Sequence, residues 1–138
     1  MKKFFSRLLR FFAGSAVCAC CGADLYDHPY FCENCLRTLP FNNGPVCAKC
    51  GRATQQAYPA CLECKADMPA FDAARSLFRY EGEIVRLIKQ FKNGHKYLAA
   101  AFAHCMVPLL SDFETPDFLV SVPMTESALR RRGYNQSE

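Results

Sequence analysis

Eight cysteines near the start of the chain have the spacing of metal ligands. They form two copies of the pattern Cys-x-x-Cys, ten residues, Cys-x-x-Cys, and each cysteine of the second copy lies 29 residues after its counterpart in the first. The first copy consists of Cys18, Cys21, Cys32 and Cys35, and the second of Cys47, Cys50, Cys61 and Cys64. Two Cys-x-x-Cys turns that face each other supply the four thiolates of a tetrahedral zinc site. The spacing therefore predicts two structural Zn²⁺ ions in a duplicated unit.

A glycine directly follows the leading cysteine pair in each copy, Gly22 in the first and Gly51 in the second. The backbone of such a turn folds closely around the sulfurs, and glycine adopts the positive φ angles that this requires. The two glycines therefore favour a pair of metal-binding knuckles. A closed Cys₄ site has no open coordination position, so we assign these centres a structural role and no catalysis.

Three other chemistries use paired cysteines, and each fits the pattern less well. Disulfides are expected in exported proteins, and Arg7 and Arg10 interrupt the apolar run that an export signal requires. Iron–sulfur clusters usually show tighter or less symmetric spacing, and a thioredoxin-like site needs only one pair in a βαβ setting. Sequential ligation within each copy is favoured because the duplication makes each copy self-sufficient. Cross-braced ligation between the copies is the alternative.

Two cysteines fall outside the two quartets. Cys20 lies inside the first knuckle, where it is either a bystander, as we favour, or a substitute ligand for Cys18 or Cys21. Cys105 lies on the apolar side of a predicted helix and is expected in the core. The three histidines show no pattern of partners, so we expect them to be structural or exposed.

The residues on either side of the cysteines predict three units. Residues 17–66 predict a double zinc ribbon, in which short hairpins rather than helices carry the knuckles. Residues 65–70 are typical of a linker. Residues 1–16 predict a basic amphipathic helix, with Phe5, Leu8, Leu9 and Phe12 on one face and Lys2, Lys3, Arg7 and Arg10 on another.

The N-terminal helix has three interpretations. We favour docking on the protein itself or on a partner. The second interpretation is peripheral contact of residues 2–12 with an anionic membrane surface, and the third is disorder. Arg7 and Arg10 interrupt the apolar run that a secretory signal requires, and no segment is apolar over the length that spans a bilayer.

Residues 71–138 have the composition of an α/β domain. Residues 74–80 and 117–122 predict strands, and the apolar run of the second is typical of a buried parallel strand. Residues 82–92 and 95–110 predict helices, the first because its apolar residues recur at i, i+3, i+4 and i+7. Those residues are Ile84, Leu87, Ile88 and Phe91. Two strands and two helices are too few for a complete doubly wound sheet, so we expect either an incomplete domain or one that depends on a partner to cover its last strand.

The arginine cluster after the second strand predicts an anion site. In α/β sheets, ligands bind beyond the carboxyl ends of strands, and helix N-termini favour anions. The strand is expected to end at Pro123, with a basic loop leading to a helix that starts after Gly133. Arg130, Arg131, Arg132 and Gly133 are therefore candidates for binding phosphate or pyrophosphate. A solvated basic turn is the equal alternative.

The overall charge is a poor guide to partners. The formal net charge is +4, but eight thiolates and two Zn²⁺ ions would bring the loaded protein to about zero. Net charge therefore does not argue for nucleic-acid binding.

The combination of motifs resembles the ComF family, which joins a double zinc ribbon to a type I phosphoribosyltransferase-like domain. The matching elements are the four cysteine pairs, the Arg79–Lys92 stretch, Val122-Pro123 and the run Arg131-Arg-Gly-Tyr-Asn-Gln-Ser137. The resemblance implies a cytoplasmic protein of natural competence that handles incoming single-stranded DNA. It also implies as partners a helicase and other single-stranded DNA-handling proteins. The membrane interpretation of residues 2–12 comes from their own pattern, and it would place them at the inner face of the cytoplasmic membrane.

The sequence departs from the family pattern at one point. The resemblance implies a phosphoribosyl-pyrophosphate motif of two adjacent acidic residues followed by Thr-Thr-Gly, and the sequence contains neither feature. We therefore expect a C-terminally truncated ComF-like protein that does not catalyse phosphoribosyl transfer. The alternative function is a stand-alone zinc-ribbon module that binds protein or nucleic acid.

Overall fold

Helices dominate the regular structure of the computed structural model, which describes residues 17–26 and 28–138. Within these ranges there are five α-helices and one 3₁₀ helix. The α-helices are α1 (Glu33–Thr38), α2 (Leu62–Ala66), α3 (Glu83–Lys92), α4 (Leu98–Met106) and α5 (Glu126–Arg132), and the 3₁₀ helix is Val107–Asp112. None of the helices described is long and apolar enough to cross a bilayer. The predicted helix over residues 1–16 lies outside the described residues.

The two copies of the ribbon unit fold alike. An antiparallel bridge closes each leading knuckle, between Val17 and Asp24 in the first copy and between Val46 and Ala53 in the second. This half of each unit has the expected hairpin form.

The trailing half of each unit is helical, contrary to our expectation of hairpins. Cys32 precedes the first residue of α1 and Cys61 precedes that of α2. Side chains three residues apart lie on the same side of a helix, so this turn brings Cys35 beside Cys32 and Cys64 beside Cys61. The Cys-x-x-Cys spacing is satisfied by the start of a helix as well as by a hairpin.

One apolar core joins the first ribbon unit to the helices that follow. Buried side chains of the first unit pack with buried side chains of α3 and α4. The cluster contains Cys18, Leu25, Phe31, Cys35, Leu39, Ile84, Leu87, Leu98 and Ala101. Cys47 and Cys64 of the second unit are also buried but lie outside this cluster. The first unit therefore shares its core with the helices, and the second does not.

The core makes a simple stability prediction. Leu87 is fully buried on α3, whereas Leu62 of α2 is 84% exposed. We expect Leu87→Ala to lower the free energy of unfolding by roughly 2–5 kcal/mol, because it removes buried contacts and leaves a cavity. Leu62→Ala is the matched control and should change it by less than about 0.5 kcal/mol. Urea unfolding monitored by circular dichroism measures both, and equal effects of the two changes would contradict the described core.

Helix α3 is confirmed, since it begins within one residue of its predicted start. Helix α4 is shorter than predicted. It begins at Leu98, and beyond Met106 the chain continues as the 3₁₀ helix.

Helix α5 replaces the expected basic loop. The Thr125 hydroxyl accepts a hydrogen bond from the Ala128 N–H at 3.3 Å, and Gly133 ends the helix with a φ of 78°. We expected a helix to start after Gly133, but this glycine is a helix terminator.

The two predicted strands are not assigned as strands in the described part of the chain. Phe78 forms only an isolated bridge with Phe41. We expected the run Phe118–Val122 to be buried, but Phe118, Leu119 and Val120 are 85–87% exposed. A strand of this kind is buried only when neighbouring strands cover it, and no sheet lies among residues 17–26 and 28–138. The α/β character of residues 71–138 stays a prediction.

Candidate metal centres

The first cysteine quartet comes together between a knuckle and the start of α1. The sulfurs of Cys18, Cys21, Cys32 and Cys35 all lie within 4.8 Å of one another. The Sγ atoms of Cys21 and Cys32 are 3.7 Å apart. The Cys32 backbone N–H donates a hydrogen bond to the Cys18 Sγ over 3.3 Å. This arrangement could hold one metal ion.

The second quartet repeats the geometry of the first. The sulfurs of Cys47, Cys50, Cys61 and Cys64 lie within the same 4.8 Å limit. The Sγ atoms of Cys50 and Cys61 are 3.8 Å apart, and the Cys61 N–H donates to the Cys47 Sγ over 3.2 Å. Each quartet draws its four cysteines from one copy, so the grouping is sequential rather than cross-braced. Cys20 belongs to neither group.

Backbone amides prepare the first cysteine of each quartet for metal binding. Burial alone would raise the pKa of Cys18, but hydrogen bonds from the backbone of Cys21, Cys32 and Cys20 outweigh it and lower this pKa to about 6. Backbone hydrogen bonds, above all from Cys50, lower the pKa of Cys47 to about 6. The lowered pKa of both groups favours the thiolate, the form that binds metal.

The last cysteine of each quartet behaves in the opposite way. Burial and the neighbouring thiols raise the pKa of Cys35 well above its usual range, and the same causes raise the pKa of Cys64 to about 12. A divalent cation must displace these protons, so metal binding weakens as the pH falls. In each quartet four thiols lie close together, and backbone N–H groups donate to one of the sulfurs. Such a set of ligands fits Zn²⁺, which favours four thiolates in a tetrahedron.

The knuckle glycines have the backbone conformation that the sequence predicts. Gly22 has a φ of 75° and Gly51 a φ of 70°. Their surroundings differ. A Cβ atom at position 22 would meet nothing within 4 Å, whereas one at position 51 would lie 2.5 Å from the carbonyl oxygen of Ala74. The second knuckle is therefore covered by the segment that follows the linker.

Two arginines that the sequence does not single out contact the knuckles. Arg86 of α3 donates to the carbonyl oxygen of Cys20 at 2.6 Å. Arg75 donates to the carbonyl oxygen of Ala48 at 2.9 Å. These contacts join residues 66 and 27 positions apart, and a contact between such distant positions leaves no local pattern in a sequence.

The arginine cluster has a different setting from the predicted one. Arg130, Arg131 and Arg132 form the last turn of α5, at its negative end, and Gly133 follows them. Arg130 pairs with Glu126 at 2.8 Å, and Arg132 donates to Gln136 at 2.8 Å. No helix begins at these residues within the described structure. Phosphate binding by this cluster stays a prediction, without the helix N-terminus that suggested it.

The run after the cluster ties α5 to the rest of the helical segment. The Tyr134 hydroxyl donates to the carbonyl oxygen of Phe91 at the end of α3. The Asn135 side chain donates to the carbonyl oxygen of Val122 at 3.1 Å. Tyr134 and Asn135 therefore connect the end of α5 to α3 and to the segment that precedes α5.

Comparison with known proteins finds two distant relatives. The chain is 27% identical over 131 residues to the DNA utilization protein YhgH of Salmonella typhimurium, covering 80% of this chain and 58% of the relative. It is 28% identical over 131 residues to the protein of the same name from Salmonella typhi, with the same coverage. The chain thus spans little more than half the length of these curated relatives.

The other two comparisons give no match. No protein-family model matches the chain, and no solved structure matches it. The chain is thus a distant relative of the DNA utilization protein YhgH that carries two Cys₄ groups, each able to hold a metal ion.

Proposed function

We propose that this chain is a ComF-like protein of natural competence that handles incoming single-stranded DNA in the cytoplasm. The observation that carries the proposal is the similarity to relatives named for DNA utilization, which extends over 80% of the chain. The two Cys₄ groups support it, because a double zinc ribbon is the front part of the ComF pattern. The proposed partners are single-stranded DNA, a helicase and other proteins that handle single-stranded DNA.

The ribbons act in this proposal as a scaffold. Each Cys₄ group holds one structural Zn²⁺, with all four coordination positions occupied by thiolates. Residues 17–66 form the double ribbon, and residues 71–138 belong to a phosphoribosyltransferase-like α/β domain. The exposed run Phe118–Val122 supports this assignment, because its apolar residues suit the interior of a sheet.

The DNA-binding surface that we propose lies where α3 and α5 end. The Lys96 ammonium lies 3.4 Å from the carbonyl oxygen of Gly133 and 5.1 Å from the centre of the Tyr134 ring. Tyr134 also contacts the Phe91 ring of α3, at 5.8 Å between centroids. Tyr134 therefore brings together the last turns of α3 and α5, where Lys92, Arg131 and Arg132 lie.

None of the charges of this surface is paired with a carboxylate in the described part of the chain. Lys92, Lys96, Arg131 and Arg132 take part in none of the six ion pairs found among the described residues. Tyr97, next to Lys96, is 57% exposed and offers a ring on which a base can stack. On the ribbons, in contrast, both arginines are paired, Arg37 with Glu33 and Arg52 with Glu63, and only Lys49 and Lys65 stand outside the six ion pairs. Phosphate contacts therefore favour the helical surface over the ribbons.

Binding of a fluorescent single-stranded oligonucleotide tests the proposal. We expect the wild-type chain to bind. The triple change Lys92→Gln, Lys96→Gln and Arg131→Gln should reduce the slope of the log of the binding constant against the log of the salt concentration by about 2. The reason is that each phosphate contact to a single strand contributes about 0.7 to that slope. Fluorescence anisotropy at several salt concentrations measures this, with circular dichroism to check the fold. The matched control is the triple change Arg37→Gln, Lys49→Gln and Arg52→Gln, which removes three charges from the ribbons and should leave the slope unchanged.

Two results would contradict the DNA-binding surface. One is an unchanged slope in the triple variant, and the other is the absence of binding by the wild-type chain at low salt. Absence of binding would favour the second candidate, a zinc-ribbon module that docks on protein. One observation supports that candidate: exposed Leu62 and partly exposed Tyr58 line an open cleft on the second ribbon unit.

A further inference from the structure

Each leading knuckle is held by an arginine from outside the ribbons. Arg86 reaches the first knuckle from α3, and Arg75 reaches the second from the segment after the linker. In both cases the acceptor is a carbonyl oxygen between the two cysteines of the leading pair, Cys20 in one and Ala48 in the other. The duplicated units therefore acquire the same kind of contact from two unrelated positions in the chain.

Both guanidinium groups are fixed in place by other partners. The Arg86 Nε bonds to Glu83 at 2.7 Å, and its Nη1 bonds to Gln90 at 3.1 Å. The Arg75 Nε bonds to Asp112 at 3.2 Å, and its guanidinium lies 5.7 Å from the centre of the Phe113 ring. A side chain held at several points loses little further conformational entropy when it contacts the knuckle.

The contacts lie inside the knuckles, on residues next to ligand cysteines. The Arg86 Nη2 that bonds to the Cys20 carbonyl is also 3.8 Å from the Sγ of Cys20, which is not itself a ligand but directly precedes Cys21. Beside Arg75, the Ala74 N–H donates to the carbonyl oxygen of Lys49 at 2.8 Å. In each knuckle, backbone amides near these carbonyls donate to the first cysteine of the quartet. The arginines therefore hold in place the knuckles whose backbone amides donate hydrogen bonds to the sulfurs of Cys18 and Cys47.

The charges favour this arrangement. Four thiolates around one Zn²⁺ leave a formal charge of −2 on each centre. A guanidinium beside the knuckle offsets part of this charge, and outer groups that orient metal ligands commonly change metal affinity by about 10- to 100-fold. The carboxylates of Glu83 and Asp112 lie beside the two guanidinium groups and reduce this charge compensation. They do not remove it, because both carboxylates are partly exposed and solvent screens them.

We propose that Arg75 and Arg86 are positioning residues for the two metal centres, Arg86 for the first and Arg75 for the second, so that residues 71–138 tighten metal binding by the ribbons. By linkage, metal binding stabilises the docking of α3 on the first knuckle and of the 74–75 segment on the second. The inference rests on the proposed role of the two Cys₄ groups as zinc sites.

Cobalt titration of the full chain tests the inference, because Co²⁺ bound by thiolates gives visible absorption that reports the site directly. Cys64→Ser leaves only the first quartet complete, and Cys35→Ser leaves only the second. In the Cys64→Ser background, we expect Arg86→Gln to weaken Co²⁺ binding by about 10- to 100-fold and Arg75→Gln to have little effect. Arg86→Lys should restore part of the affinity, since it returns the charge without the planar fork.

The Cys35→Ser background provides the reciprocal test. Even if α3 and α4 unfold there, the bond from Arg75 to the Ala48 carbonyl lies on the second unit, so Arg75→Gln should weaken binding and Arg86→Gln should not. Arg37→Gln is the control, because that arginine pairs with Glu33 on the surface of α1. Equal losses for both arginine variants at one site would overturn the inference, as would unchanged affinity. Failure of the wild-type chain to bind Co²⁺ would instead defeat the zinc assignment itself, and the inference with it.

Discussion

Replacing Cys35 with serine is expected to unfold far more of the chain than replacing Cys64 with serine, although each change removes one ligand from a matching site. Cys35 belongs to the core that contains Ile84 and Leu87 of α3, whereas Cys64 lies outside that core. Loss of the first metal should therefore release α3 and α4 together with the first ribbon unit. Loss of the second should be confined to its own unit and the segment docked on it.

The magnitudes make this a large effect. Structural zinc contributes roughly 10–16 kcal/mol of apparent binding free energy in small zinc domains at neutral pH. Whole domains are stable by only about 5–15 kcal/mol, so a ribbon unit that loses its metal is expected to unfold. In the first unit, unfolding exposes the apolar surface of Leu25, Phe31 and Leu39 that covers α3. The helices are too short to persist without that cover.

Hydrogen exchange with mass spectrometry measures the difference. In Cys35→Ser, peptides that cover α3 and α4 should lose protection, and in Cys64→Ser they should keep it. Metal analysis should find one zinc per chain in each variant and two in the wild type. Equal loss of protection in α3 for the two variants would show that the helices depend on both centres, contrary to the described core.

The parts of the molecule that sequence reasoning predicted are those recorded in local spacing. The Cys-x-x-Cys pairs and their 29-residue repeat identify both quartets, because the ligands of each site come from two short turns. The period of Ile84, Leu87, Ile88 and Phe91 identifies α3, because an amphipathic helix carries its burial pattern along its own length. Both patterns can therefore be recognised in the sequence without knowledge of the rest of the fold.

The parts that sequence reasoning missed depend on distant neighbours or on competing local signals. The run Phe118–Val122 has the composition of a buried strand, but burial requires other strands beside it. Gly133 suits either the start or the end of a helix, and the capping hydroxyl of Thr125 decides for the end of α5. Arg75 and Arg86 contact the knuckles across 27 and 66 positions. No local pattern predicts such contacts.

Gly51→Ala is expected to destabilise the second ribbon unit much more than Gly22→Ala destabilises the first. Both glycines have positive φ, so alanine at either position introduces backbone strain of about 1–2 kcal/mol. Only at position 51 does the new Cβ also meet backbone, 2.5 Å from the Ala74 oxygen and 3.0 Å from the Arg75 Cα. These atoms belong to the backbone and cannot rotate away, so the 74–75 segment must move.

That movement breaks the contacts that hold the segment on the knuckle. The hydrogen bonds from Ala74 to Lys49 and from Arg75 to Ala48, 2.8 and 2.9 Å long, are both lost when the segment shifts. Each lost hydrogen bond costs about 0.5–1.5 kcal/mol. Together with the backbone strain, Gly51→Ala should therefore lower the free energy of unfolding by roughly 2–5 kcal/mol. Gly22→Ala should lower it by about 1–2 kcal/mol, the strain alone. Urea unfolding with excess zinc measures both losses, and release of zinc to a chromophoric chelator should be faster from the second site of Gly51→Ala. Similar losses for the two glycines would mean that the 74–75 segment yields without resistance, and that Arg75 does not hold the second knuckle.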